Sequence, residues 1–169
     1  REALLRPLQL VTGVVERRQT LPILSNLFVD VADGAVSLTG TDLEVELVAR
    51  VVESIEVAQP GQATIPARKM ADIWRSLPDG AFVTVEADSD RATVRSGRSR
   101  FALATLPAPD FPRIESAPGD IEFSLTHQEM HRLLSQTAFS MAQQDVRYFL
   151  NGMLLEVTGR HVRTVATDG

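Results

Sequence analysis

The stretch Asn26-Leu-Phe-Val-Asp-Val-Ala-Asp-Gly-Ala-Val-Ser-Leu-Thr-Gly-Thr-Asp42 decides the fold, because the chain contains it twice. Its second form is Asn151-Gly-Met-Leu-Leu-Glu-Val-Thr-Gly-Arg-His-Val-Arg-Thr-Val-Ala-Thr-Asp168. Each form opens on Asn, runs through an apolar strand, turns at Gly34 or Gly159, and climbs a second strand to Thr-Asp. The two Asn lie 125 positions apart and the two Thr-Asp pairs 126, so one residue is inserted between the copies. Helical segments lie upstream of both, carrying Leu4, Leu5, Leu8 and Val11 in one and Met130, Leu133, Leu134 and Thr137 in the other. A repeat of this length is a whole domain, since solenoid periods run roughly 20–50 residues. The second copy reaches Gly169 and stops where the first continues, so the chain is expected to end inside its second domain. The first residue is Arg rather than Met, and the sequence is read as trimmed there too.

Outward from the repeated hairpin, Glu2 to about Val15 reads as an amphipathic helix of near 3.6-residue period. Pro7 is awkward inside it unless it falls in the first turn, where no amide donor is needed. Glu16 to Gln19 is a polar connector, and Leu21-Pro22 precedes the first strand. Leu43, Val45, Leu47 and Ala49 alternate with Asp42, Glu44 and Glu46, which predicts a half-buried third strand. Beyond Pro60-Gly61 the reading is a short strand at Ala63–Pro66 and a helix from Arg68 to Leu77. Strands at Phe82–Ala87, Ala92–Ser96 and Arg100–Leu106 follow. The second half thus runs strand, helix, strand, strand, strand. The first half lacks only a leading strand, which the trimmed N-terminus is expected to hold. The fold class is α+β, built from duplicated βαβββ units with helices on one face of antiparallel sheets.

The proline-rich run from Pro107 to Gly119 is read as the domain linker, closing a first domain at 1–119. The second, incomplete domain spans 120–169. It is expected to begin with a strand at Ile121–Leu125 and a helix to about Met141. That helix is capped by Thr126 with Glu129 three residues on.

The bulk numbers narrow the function. At 44% hydrophobic and 23% charged, composition is that of a globular chain. No apolar run approaches the ~18–20 residues that cross a bilayer, and no signal-peptide pattern opens the sequence, so no membrane partner is expected. Zero cysteines exclude disulfides and thiolate metal sites and fit a cytoplasmic location. A net charge of −5 argues against tight, static binding of nucleic acid.

Catalytic motifs are sparse. His127 and His131 stand i,i+4 on a helix, but Gln128 occupies the place where a zincin carries Glu, and no third ligand is near. A solvated helix face is the reading, with no metal and no cofactor expected. There is no phosphate-binding Gly-rich loop and no Gly-x-Ser-x-Gly elbow. Asp42, Glu44 and Glu46 share a strand face, which suits a water-facing edge better than paired catalytic carboxylates. Arg91, Arg95, Arg98 and Arg100 fall close together beside Phe101 and Leu103. Arginine forks bind carboxylates bidentately, so this patch favours an acidic protein partner over DNA.

The residues carry a resemblance to a known family. They are Thr20-Leu-Pro-Ile-Leu24, Leu38-Thr-Gly-Thr-Asp-Leu-Glu44, Val94-Arg-Ser-Gly-Arg-Ser-Arg-Phe101, Thr105-Leu-Pro107 with Asp110-Phe-Pro112, Asp145-Val-Arg-Tyr148 with Leu150-Asn-Gly-Met153, and Thr164-Val-Ala-Thr-Asp-Gly169. In that order, over essentially the whole chain, they resemble the bacterial sliding clamp, the beta subunit of replicative DNA polymerase III. The resemblance implies three similar domains per chain, two chains per ring, and helices lining a hole around double-stranded DNA. The third domain is absent from this sequence. It also implies a non-catalytic processivity factor that docks polymerase subunits and the clamp loader through short linear motifs. A closed ring holds DNA topologically and must slide, so an acidic chain suffices if its inner helices are locally basic.

Carried over by motif, Arg18 and Gln144 sit at connector positions that touch DNA in the family, with Tyr148 beside them and Arg6 on the lining helix. Phe149 stands where some members carry Tyr and offers no hydroxyl. Lys69, Ile73, Arg98, Arg100, Phe101 and Leu103 match the first-domain side of the ring-closing dimer interface. Leu150, Thr167 and Gly169 match part of the pocket that receives partner peptides. From the residues alone, two rivals stay open: a hydrolase using the Asp42, Glu44, Glu46 face, and a bare oligomerisation module.

Overall fold

The structure is a computed structural model describing residues 1–15, 21–114 and 121–169. The chain divides into two compact units, Arg1–Ser116 and Ala117–Gly169.

In the first unit, helix α1 (Glu2–Thr12) precedes strands β1 (Asn26–Ala32), β2 (Ala35–Thr41) and β3 (Glu46–Val51). Strand β4 (Gly61–Pro66), helix α2 (Ala67–Ser76) and strands β5 (Thr84–Ala87), β6 (Arg91–Ser96) and β7 (Ser99–Ala104) follow. The strands form two antiparallel sheets, ordered β3-β2-β1-β4 and β5-β6-β7. Strand β4, the first of the second half, therefore adds to the first half's sheet.

Strand alternation decides which face is covered. Leu27, Val29, Leu38 and Ile65 face one side of the first sheet. They join Leu8, Val11 and Val15 of the α1 region, Met70, Ile73 and Trp74 of α2, and Ala92 and Val94 of β6 in one core. Both helices thus pack on a single side, as the duplicated pattern predicts. Gly40 lies in β2 directly beneath α1. A Cβ there would stand 2.8 Å from the Val11 carbonyl oxygen and 2.9 Å from its Cγ1. Its missing side chain sets how closely the helix approaches the sheet.

Several boundaries differ from the expectations, each for a local reason. Helix α1 ends at Thr12, and Pro7 sits inside it, past the first turn. The amide bond lost at Pro7 lies on a helix whose Leu8 and Val11 are fully buried. Strand β3 starts at Glu46 rather than Asp42, because side chains build a turn there. Asp42 Oδ1 accepts from the amides of Glu44 and Val45 at 2.9 and 2.8 Å, and Leu43 takes a positive φ of 81°. Leu43, Val45 and Leu47 are consequently exposed instead of half-buried. Strand β5 starts two residues later than expected, at Thr84, and β7 starts one residue earlier, at Ser99, and ends two earlier, at Ala104.

The proline-rich stretch is not a free linker at its start. Phe111 is buried, with its ring 5.5 Å from that of Phe28, and the Leu106 amide donates to Thr64 Oγ1 at 2.9 Å. Residues 115–120 of that stretch lie outside the described residues.

The second unit holds helix α3 (His127–Thr137) and a hairpin of β8 (Leu154–Val157) with β9 (Val162–Val165). The capping box at Thr126 and Glu129 forms in both directions. The helix yields to a 3-10 turn at Ala138–Ser140 rather than running to Met141. Ile121–Leu125 forms no strand, since no described segment offers it a ladder.

Candidate functional site

The second unit's connector between α3 and β8 is short and knitted to itself. The Ala142 amide donates to the Leu150 carbonyl at 3.0 Å, and the Leu150 amide to that of Arg147 at 2.9 Å. Asn151 brackets Asp145, accepting from its amide at 2.9 Å and donating to its carbonyl at 3.0 Å. These bonds force the intervening side chains outward. Gln144 is exposed at a positive φ of 58°. Tyr148 and Phe149, in a 3-10 turn, meet edge to face at 6.1 Å with 82% and 67% of their surfaces open.

Leu150, next in sequence, turns inward and is 8% exposed. Its side chain therefore presents little open apolar area. The second strand, expected to climb to Thr167-Asp168, ends at Val165, so Thr167 and Gly169 lie beyond β9 and are exposed. The Gly169 amide donates to Thr167 Oγ1 at 3.1 Å, and Gly169 has a φ of 110°. The first unit repeats this turn. There the Leu43 amide donates to Thr41 Oγ1 at 3.0 Å, again at positive φ.

Arg147 joins the two halves of this site. Its guanidinium donates to Asp145 Oδ1 and Oδ2 at 3.1 and 3.0 Å and reaches the Asp168 carbonyl at 3.4 Å. The Arg147 fork and amide hold the Asp145 carboxyl below the usual carboxylate range, and the Asp145 bond raises Arg147 in turn. The sequence reading quoted Asp145-Val-Arg-Tyr148 but gave Arg147 no role. The available signal was an acid and an Arg two residues apart in a polar connector.

In the first unit the arginine patch lies on the second sheet. Arg95 and Arg100 are cross-strand partners, an arrangement that like charges make unfavourable. Glu86 pairs with Arg95 at 3.2 Å. Arg98 and Arg100 are exposed and make no ion pair among the described residues. Among those residues β7 is hydrogen-bonded on one side only. Phe101 and Leu103 are half-buried against the core, and Lys69 is exposed at the start of α2. Ile73 is only 8% exposed and belongs mainly to the core. The patch is therefore Lys69, Arg98 and Arg100 around the partly covered edges of Phe101 and Leu103.

Arg6 is exposed on α1, on the side away from Leu8 and Val11. Arg18 lies outside the described residues. Arg68, read as the start of the second helix, donates to the Val15 carbonyl at 2.7 Å and so ties α2 to the end of the α1 region.

The rival sites fail on geometry. Asp42 caps its own turn, and Glu46 accepts the Ile114 amide at 3.0 Å, so the three carboxylates do not converge on one strand face. His127 and His131 stack at 6.2 Å on an exposed face. No group of three or more His, Asp or Glu suited to a metal occurs among the described residues. Among them, too, no helix is long and apolar enough to cross a membrane.

Family comparison decides what this arrangement belongs to. The model of the DNA polymerase III beta subunit N-terminal domain matches residues 1–115, and that of its central domain matches residues 124–169. The chain belongs to the DNA polymerase III beta subunit family. It is 58% identical over all 169 residues to the beta sliding clamp of Pseudomonas aeruginosa, and spans 46% of that relative's length. It is 57% identical to that of Escherichia coli, again spanning 46%. The crystal structure of the DNA polymerase III subunit beta from Pseudomonas aeruginosa superposes with a TM-score of 0.94 at 57% identity. That match covers 99% of this chain and 45% of the other. A further structure of that organism's sliding clamp, bound to griselimycin, gives a TM-score of 0.93 with the same coverage. The beta subunit of Caulobacter crescentus gives 0.91 at 38% identity, covering 99% of this chain and 46% of that one. The chain thus spans about half the length of the relatives it matches, with two beta-subunit domain types in family order.

Proposed function

We propose that this chain is part of a DNA sliding clamp, a non-catalytic processivity factor that encircles duplex DNA in the cytoplasm and tethers polymerases to it. The observation that carries this is the ordered match of both beta-subunit domains across the sequence. The geometry supports it in three places. Arg6 on α1 of the first unit, and separately Gln144 with the exposed Tyr148 and Phe149 of the second, would contact DNA lightly; Arg18, outside the described residues, takes the same role from the family motif alone. Few cationic side chains suit a ring that must slide, because each phosphate neutralised adds salt-dependent affinity. Lys69, Arg98 and Arg100 beside the open β7 edge would meet an acidic surface of a second chain, closing a homodimeric ring. A strand edge offers backbone pairing, and the arginines set the register of the partner.

Leu150, Thr167 and Gly169 would form part of the pocket for short linear motifs of polymerase subunits and the clamp loader. The Pseudomonas aeruginosa relative binds griselimycin, and we extend that binding to the full-length clamp carrying this sequence. The test is polymerase run length on primed DNA with a clamp loader present. A full-length clamp with these residues is expected to lengthen the product by orders of magnitude over polymerase alone. Arg18→Ala with Gln144→Ala should reduce loading while leaving the melting temperature unchanged. Equal run length with and without the clamp would refute the reading.

A further inference from the structure

We propose that Arg147 is the positioning residue of the peptide pocket: held by Asp145, its guanidinium fixes the Thr167–Gly169 turn against the Leu150 connector. The inference rests on the pocket reading above and adds the part that gives the pocket its shape. In the turn after β9 the Gly169 amide donates to Thr167 Oγ1. What stands against it is the Arg147 fork. A Cβ built on Gly169 would lie 2.9 Å from both terminal guanidinium nitrogens and 3.3 Å from Cζ. The missing Gly169 side chain therefore faces the edge of the guanidinium between its two terminal nitrogens, and the Asp168 carbonyl accepts from the same group.

The fork itself is aimed from the other side. Asp145 takes two of its N–H groups and also accepts the Arg147 amide at 2.8 Å. Asp145 is in turn fixed through its backbone by Asn151. The result is a continuous chain of contacts from the connector that carries Leu150 to the turn that carries Thr167 and Gly169. A bidentate guanidinium supplies a planar, directional support that a lysine point charge does not. An extended peptide pays less ordering cost when both walls of its pocket are already held.

The test is calorimetric titration of griselimycin into full-length clamp carrying this sequence, with Leu150→Asp as the control for the pocket itself. Arg147→Ala is expected to weaken binding roughly tenfold, which is about 1.4 kcal/mol, while the melting temperature stays put. Asp145→Asn keeps shape but loosens the fork, and should weaken binding severalfold. Arg147→Lys should recover only part of the loss, which a purely electrostatic role would recover in full. Gly169→Ala should weaken binding in the wild type by more than it does in the Arg147→Ala background, where the colliding guanidinium is gone. Loss of binding in Leu150→Asp with Arg147→Ala inside twofold of wild type would overturn the positioning role and leave the pocket standing. Unchanged binding in Leu150→Asp would overturn both.

Discussion

At the scale of single residues, the two Thr-Asp turns show one backbone device used with two different side chains. Thr41 and Thr167 each accept the amide two residues on, and the residue so held takes a positive φ. In the second unit that residue is Gly169, where positive φ is free of Cβ strain. In the first it is Leu43, exposed and strained. A bulky residue held in this region costs on the order of 1–3 kcal/mol. Leu43→Gly should therefore raise stability by about 1 kcal/mol after the entropy cost of glycine, read as a higher urea midpoint at unchanged slope. The Asp145 carboxyl offers a second test at this scale. Its folded pKa is depressed, chiefly by the Arg147 side chain. The sign follows: the ion pair contributes fully above the ordinary carboxylate value near ~4 and is lost as pH falls through the lower folded value. A carbon-detected NMR titration should find Asp145 ionising below the ordinary carboxylate value, and Arg147→Ala should move it back up toward that value.

At the scale of elements, the repeat made most of the architecture legible. Alternation in Leu27, Val29 and Leu38 put one face of the sheet in the core, and the Thr126–Glu129 spacing predicted a capping box that forms. Thr126→Ala should shorten α3 and cost about 1 kcal/mol, measurable as lost helical ellipticity and a lower melting temperature. Where the reading failed, a side chain outcompeted a periodicity. The alternation from Asp42 to Ala49 is real in sequence, but Asp42 and Thr41 bond the local amides and delay β3 to Glu46. Pro107 to Gly119 has linker composition, yet its opening residues dock, because Phe111 finds Phe28 and Arg113 stacks over that ring at 5.4 Å. Ile73 and Leu150 illustrate the limit for sites: the family motif names them for an interface and a pocket but does not show that both are largely covered. Gly40 carried no sequence signal at all, since its role is the α1 approach. Gly40→Ala should cost about 1–3 kcal/mol by overpacking, whereas Gly61→Ala, whose Cβ would meet open space, should cost far less.

At the scale of the molecule, the account joins a weakly acidic chain to DNA without strong DNA contacts. Under the proposed function, a net charge of −5 over these 169 residues leaves retention to ring closure more than to phosphate binding. The closing surface proposed here is the exposed pair Arg98 and Arg100 beside β7. Reversing both charges in a full-length clamp should weaken dimerisation, by no more than ~1 kcal/mol for each exposed pair. Sedimentation at nanomolar concentration reads this, and an unchanged dissociation constant would assign both arginines to solvent. The central claim, topological retention, has one direct test. A full-length clamp carrying this sequence is loaded onto nicked circular DNA, and the DNA is then cut once by a restriction enzyme. The clamp is expected to stay bound to the circle through gel filtration and to run off the ends once the DNA is linear. Equal retention on circular and linear DNA would contradict it.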